Sequence, residues 1–310
     1  MSDYIVTGGT GFLGRNLIKH LNSDNNRIYA IVRRESRNLD LLPKGDNIIP
    51  VYSDLTNLSD IASALPETPD SVFHFAWGGV NRDEINDPAV QDKNVKLSLD
   101  LLKMSTELGS KCFVFAGSRS EYGRQTGFYT ENMECNPQVA YGRAKLEFGR
   151  MASSICKDSP MTYIHPRIFS VYGPDDHPWS LVYSSIRKML NGEDIDLSEC
   201  KHSWNFMYVT DAIDLIVTMS QKRDSVTDDN HVFNVATRDI RPLKEFVEEM
   251  KSITCSNSKL NFGAYKQPAE SAVSLLPDMD KVEKFFEWKP EVTFEEGIRK
   301  IVLAMGENNA

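Results

Sequence analysis

"TGGTGFLG", residues 7–14, is the stretch that decides the fold. An apolar run, Tyr4-Ile5-Val6, leads into it, and a helical pattern over about 12–21 leads away. Glycines at 8, 11 and 14 permit a tight turn, close backbone approach to a pyrophosphate and close packing of the helix on the strand. The helix N-terminus then faces the negative charge. Gly8, Gly11, Phe12, Leu13 and Gly14 are therefore the first candidate cofactor-binding residues. A glycine-rich turn can bind nothing, but here the flanking strand, the flanking helix and the position all agree with a dinucleotide site.

Outward from this turn, short β-rich runs recur at 28–32, 48–52, 71–75, 111–116 and 161–169, separated by longer amphipathic stretches. Such alternation predicts an α/β fold, a doubly wound parallel Rossmann sheet with crossover helices. Residues 91–108 carry apolar side chains at helical spacing and predict a long helix ending near Gly109. After Tyr172 the texture changes at "YGPDDHPW", which is rich in turn formers. The expected organisation is a Rossmann domain over 1–170 and a smaller C-terminal α/β substrate domain over 171–310. The segments 204–219 and 231–236 are candidates to return to the first sheet, and 306–310 reads as a loose tail.

The 310 residues are 41% hydrophobic, enough to bury a full core in one large or two coupled domains. A net charge of −9 argues against a nucleic-acid or anionic-membrane surface. The five cysteines are odd in number and scattered, which fits reduced cytoplasmic thiols and gives no metal or disulfide pattern. No segment approaches the length of a membrane span, and a strand starting at Tyr4 leaves no room for a signal peptide.

The residues after the second strand choose the cofactor. An acid there would bind the ribose 2′-hydroxyl of NAD, whereas arginine would neutralise a 2′-phosphate. The strand ends "AIVRRESR", so Arg33 and Arg34 favour NADP(H) over NAD(H).

Two further stretches suggest chemistry. "GSRSEYG", residues 117–123, puts Ser118 at the end of a strand, and "YGRAK", residues 141–145, puts Tyr141 and Lys145 four apart at the start of a helix. Residues so spaced share a face, and an ammonium beside a phenol lowers its pKa from about 10 toward working pH. With eleven tyrosines, chance supplies on the order of half to one Tyr-x-x-x-Lys match, so the pair gains weight from its place beyond a dinucleotide turn.

Together these pieces resemble the extended short-chain dehydrogenase/reductases, in the nucleotide-sugar epimerase, dehydratase and ketoreductase group. The resemblance extends through "SDLTN", "VFHFAW", Asn94, "PRIFSVYGP", "NFMYVTDAIDLI" and "WKPEVTFEEGIRK". It implies that Asp54 and Leu55 contact the adenine end and that Ala76 borders the cofactor. Lys145 would bind the nicotinamide ribose and tune Tyr141, while Ser118 would hydrogen-bond the reacting oxygen. It also implies a homodimer through helices near 91–108 and 141–156.

Departures from the family's patterns separate its reactions. Dehydratases carry Thr-Asp-Glu where this chain has Ser118-Arg119-Ser120. Glu121 is the nearest acid, displaced by one residue, which changes its direction. The GDP-fucose synthase group epimerises with a cysteine at the place of Ser120, and a serine is too weak an acid to substitute. A plain NADPH-dependent 4-ketoreductase remains, and "AWGGVNRDEINDPAVQDKN" with the tryptophan of "SWNFMYV" most resembles the reductases that make 3,6-dideoxy sugars such as CDP-abequose or paratose. That implies a nucleotide-diphosphate sugar as substrate and a role in lipopolysaccharide sugar biosynthesis. An epimerase, or an NADP-binding regulator without turnover, are the alternatives.

For the diphosphate, Ser170 and Trp204 replace an Asn and an Arg common in the group, and Arg187, Lys201 or Lys266 are substitutes. His177 in "DDHPW" is a candidate second acid. Trp77, Asn81, Arg82, Arg119 and Ser120 are placed near the substrate by position in their loops.

Overall fold

The computed structural model describes residues 1–23, 25–81, 83–266 and 273–307. The chain divides into two compact units. The first comprises Met1–Arg124, Glu131–Ile168 and Ile213–Asn234. Its sheet is built from β1 (Ser2–Thr7), β2 (Asn26–Val32), β3 (Ile48–Tyr52), β4 (Ser71–His74), β5 (Cys112–Phe115), β6 (Gly117–Ser118), β7 (Thr162–Ile168) and β12 (Val232–Val235). The path across it runs β12-β7-β5-β4-β1-β2-β3, with the short β6 also pairing to β7. The pairings from β3 through β7 are parallel. This is a Rossmann sheet, and its reversal of strand order beside β1 is where such sheets open a crevice at the strand carboxyl ends.

The strands read as unbroken apolar runs because helices cover both faces. Every residue of β4 and β5 is buried. The crossover helices are α1 (Phe12–Leu21), the single turn α2 (Ser59–Ala62), α3 (Pro88–Glu107) and α4 (Ala140–Lys157). Helix α3 starts three residues before the expected Gln91. Asp87 caps it by accepting from Ala89 N at 2.9 Å, and Pro88 fits the first turn, whose N–H is unsatisfied anyway. Gly109 follows with φ +69°. Phe115 and Phe148 meet edge to face at 4.4 Å, which ties α4 to the centre of the sheet.

The second unit comprises Gln125–Thr130, Phe169–Ala212 and Val235–Ala310. It holds three small strand pairs. β8 (Val171–Tyr172) runs parallel to β11 (Met207–Tyr208), and β9 (Ile195–Leu197) runs parallel to β14 (Leu260–Phe262). The third pair, β10 (Ser203–Asn205) with β13 (Ile240–Pro242), is antiparallel. Its helices are α5 (Leu181–Leu190), α7 (Leu243–Ile253), α8 (Asp280–Phe286) and α9 (Phe294–Glu307). Its core centres on Phe206, Phe246 and Phe294, with the last two rings 4.7 Å apart. The division between units falls inside α6 (Val209–Gln221). Residues 204–219 thus form β10, β11 and most of α6 rather than a strand of the large sheet. Of the tail expected over 306–310, residues 306 and 307 belong to α9, and 308–310 lie outside the described residues.

Candidate active site

The glycine turn is shaped by close approach. Gly8 has φ +73°, and Gly11 N donates to Gly8 O at 2.8 Å. A Cβ on Gly14 would sit 2.2 Å from Gly8 O, and one on Gly8 would sit 2.8 Å from Ala76 N. No side chain caps α1 at Gly11, so its first N–H groups are left for an anion. These features fit a dinucleotide pyrophosphate.

A buried chain of hydrogen bonds holds the turn to β4. Ser98 Oγ donates to Asn94 O at 2.7 Å and so accepts from His74 Nε2 at 2.8 Å. His74 Nδ1 then accepts from Thr7 Oγ1 at 2.8 Å, and Thr7 Oγ1 accepts from Ala76 N at 3.1 Å. Burial pushes His74 down to about 3, so it stays neutral and this one tautomer serves. Asn94 accepts from Gly78 N and donates to Gly78 O, each at 3.0 Å. Sequence reasoning did not single out His74, although a histidine within an apolar strand was the visible signal.

Arg33 and Arg34 are exposed at the end of β2, with the Arg34 guanidinium 4.2 Å from the Tyr52 ring centroid. Ser36 Oγ donates to Thr10 Oγ1 at 2.9 Å, which ties this basic loop to the glycine turn. Asp54 accepts from Thr56 N at 3.0 Å, and hydrogen bonds from Thr56 hold its carboxyl below the usual carboxylate range. Leu55 is buried in the left-handed region at φ +70°.

Ser118, Tyr141 and Lys145 come together. Ser118, at the end of β6, caps the short turn Arg119–Glu121, and its Oγ accepts from Ser120 N at 3.1 Å. Tyr141 and Lys145 lie in the first two turns of α4. The Lys145 Nζ donates to Ala116 O at 2.6 Å and lies 3.9 Å from the Trp77 ring centroid and 5.7 Å from that of Tyr141. Burial pushes the lysine down to about 7, opposed by Glu121. It pushes the Tyr141 phenol up to about 12, opposed mainly by a hydrogen bond with Ser118. Lys145 is not among the groups that lower the phenol in this arrangement. The ammonium is spent on a backbone carbonyl and an aromatic face, and Ser118 supplies the relief.

Trp77 packs edge-on to Tyr141 at 6.3 Å, and its Nε1 donates to Gln91 Oε1 at 2.9 Å. It is thus part of the wall around Lys145. Asn81 stabilises its own turn by accepting from the N–H groups of Asp83 and Glu84, both at 3.0 Å. Arg82 lies outside the described residues. Arg119 and Ser120 are partly exposed beside Ser118. Glu121, in contrast, is fully buried and faces His165 and Arg167.

The second unit contains a cavity of about 500 Å³, within the size range of small-molecule sites. Ser170, Asp176, Asp196, His202, Trp204 and Tyr265 are among its lining residues, and among the described residues no lysine or arginine lines it. Burial raises the Asp176 carboxyl and lowers His202. His177 is exposed, stacks on Trp179 at 4.6 Å and does not line the cavity. The histidine at the cavity is His202, just before β10, which sequence reasoning missed because the pairing of β10 with β13 was not visible. Arg187, Lys201 and Lys266 do not line it either, and Lys201 pairs with Glu199 at 3.1 Å.

A family model described as the NAD dependent epimerase/dehydratase family matches residues 4–236. The CDP-abequose synthase of Salmonella muenchen is 24% identical over 304 residues, covering 96% of each chain. The UDP-glucuronate 4-epimerase of Thermodesulfobacterium geofontis is 25% identical over 329 residues, covering 99% of this chain and 97% of its own. A solved UDP-N-acetylglucosamine 4-epimerase from Methanobrevibacter ruminantium M1, in complex with UDP-N-acetylmuramic acid, shares the fold with a TM-score of 0.88 at 23% identity, over 99% of this chain and 100% of that one. With a glycine turn at the head of a Rossmann sheet and a family match across three quarters of its length, the chain belongs to the NAD-dependent epimerase/dehydratase family.

Proposed function

We propose that this protein reduces the 4-keto group of a nucleotide-diphosphate 4-keto-6-deoxy or 3,6-dideoxy sugar, with NADPH as reductant. The observation that carries this reading is the loop at Ser118. Ser118 and Tyr141 provide two donors for one oxygen, while the loop's carboxylate, Glu121, is wholly buried in an ion cluster. An acid and base for dehydration, or a thiolate for epimerisation beside the ketone, is not offered by residues 118–121. Bound NADPH would supply a hydride to the carbonyl carbon. Tyr141 would deliver its phenolic proton to the carbonyl oxygen, and Ser118 would stabilise the alkoxide as it develops. Lys145 would bind the nicotinamide ribose. Arg33 and Arg34, tied to the glycine turn through Ser36 and Thr10, support the 2′-phosphate of NADP. The cavity of the second unit, with Ser170 and Trp204 on its wall, suits part of the nucleotide sugar. A homodimer through α3 and α4 goes with this reading, and the exposed Met151 and Ile155 on α4 support it.

The relatives favour a second reading, since a UDP-glucuronate 4-epimerase is as similar as a CDP-abequose synthase. One experiment separates them. The protein is mixed with NADPH and a panel of UDP-, GDP-, CDP- and dTDP-4-keto-6-deoxysugars while absorbance of the reduced nicotinamide is followed. Stoichiometric loss of NADPH with one ketosugar is the expected result. Isomerisation of a nucleotide sugar on tightly held cofactor, with no net loss, would establish the epimerase instead.

A further inference from the structure

Behind Ser118 lies a group of charges that the chemistry above does not use. Glu121 Oε1 accepts from Ser118 N at 2.7 Å and meets His165 Nε2 at 3.1 Å. Its Oε2 accepts from Arg167 Nε at 2.9 Å. His165 and Arg167 stand two apart on β7 and so share a face of the sheet, and all three side chains are buried. The site is built around them. A Cβ on Gly117 or on Gly149 would come within 2.4 Å of the His165 ring, so both glycines are needed for that ring to reach Glu121. Arg167 lies 4.4 Å from the Tyr122 ring centroid, and the Tyr122 hydroxyl donates to Asn234 Oδ1 at 2.6 Å.

A buried ion cluster of this kind carries a desolvation cost for each ion and is weak evidence for stability. Its contact with the serine loop suggests a different use. We propose that Glu121 is a positioning residue, which fixes Ser118 through its backbone N–H and places a carboxylate charge beside the Lys145 ammonium. The second effect follows from placement: Lys145 Nζ donates to Ala116 O at 2.6 Å, and a Cβ on the next residue, Gly117, would lie 2.7 Å from Glu121 Oε1. Burial in an apolar wall of Trp77 and Phe115 disfavours the ammonium, and Glu121 is the charge that opposes it. The other titratable groups packed there are Tyr141 on the same helix, His74 on β4, and His165 and Arg167 on β7, which pair with Glu121. Burial keeps Tyr141 and His74 neutral, and His165 and Arg167 can add only positive charge, so none replaces Glu121.

The inference rests on Lys145 and Tyr141 being the working pair, but its test needs no sugar. Lysine labelled at Cε with carbon-13 is titrated by NMR in the full-length protein, with the Lys145 resonance assigned by its loss in Lys145→Met. In Glu121→Gln the Lys145 midpoint is expected to fall by about half a pH unit or more, and the Ser118 amide resonance to move. Should that variant not fold, Arg167→Gln, which leaves the carboxylate and removes the cation that compensates it, is expected to move the Lys145 midpoint the other way, upward. A folded variant whose Lys145 midpoint equals that of the wild type overturns the proposal, even if the Ser118 amide moves, because a purely structural carboxylate would do that. Failure of the ketoreductase reading would show in the NADPH panel and leave this midpoint unaffected.

Discussion

Tyr141 and Lys145 carry opposite shifts from one cause. Burial disfavours the charged form of each, so the phenol rises to about 12 and the ammonium falls to about 7. A phenol raised this far keeps its proton through the neutral range, which suits a proton donor in reduction. Tyr141→Phe is expected to bind cofactor and lose at least ~10²-fold in turnover, and unchanged turnover would remove it from the chemistry. The lysine sets the alkaline limit. Its charge is complete only well below its value of about 7 and is lost as pH rises through it, well before Tyr141 ionises. A profile of kcat/KM for NADPH, which reports the free enzyme, is therefore expected to fall above about 7, and a flat profile to pH 10 would contradict it. Glu121 behaves in the opposite sense. Its carboxyl is held down at about 2 by His165 and Arg167 against the cost of burial. A depressed acid stabilises the fold above its unfolded value and loses that contribution as pH falls toward the folded one. Urea midpoints of the wild type should therefore drop steeply between pH 4.5 and about 2, and Glu121→Gln should flatten that drop.

At the scale of the element, the strand, turn and first helix form one unit with almost no spare space. Gly14→Ala would drive a Cβ to 2.2 Å from a backbone oxygen that cannot move aside without shifting Gly8. We expect destabilisation of about 1–3 kcal/mol, as for other overpacked sites, together with loss of cofactor binding, both measurable by urea unfolding with and without NADPH. Asp87→Ala should cost about 1 kcal/mol by removing the α3 cap and leave binding intact. These two elements show what was legible beforehand. The glycine turn, the apolar runs and the Ser118, Tyr141 and Lys145 set are local patterns, and local patterns survive in one dimension. Asp87-Pro88 was a readable start signal for α3, passed over because apolar periodicity alone marks Gln91. The Glu121 cluster was not readable, since its partners lie on β7, 44 and 46 residues away, and only β6–β7 pairing brings them together. The same holds for His202 and His177. One sits on a small sheet's approach and lines a cavity, the other stacks on Trp179 in the open, and nothing in their immediate neighbours distinguishes them.

For the whole molecule, the question is whether a chain of net charge −9 selects a cofactor with an additional phosphate. Overall repulsion is screened beyond about 8 Å at physiological ionic strength, so two arginines beside the pyrophosphate turn outweigh distant acids. No helix among the described residues is long and apolar enough to cross a membrane. The selection is measurable by ligand-linked melting. A ligand that binds only the folded state adds about 2.7 kcal/mol at one hundred times its Kd. For a chain of this size each kcal/mol corresponds to roughly 1–2 °C in Tm. NADPH should therefore raise Tm by several degrees at a concentration where NADH raises it by much less. In Arg33→Ala with Arg34→Ala the two cofactors should converge, with the NADPH shift falling to that of NADH. If the double variant keeps the wild-type gap, the 2′-phosphate is held elsewhere; if NADH gives the larger shift in the wild type, the arginines lie on solvent and the protein shares the cofactor choice that its family's description names.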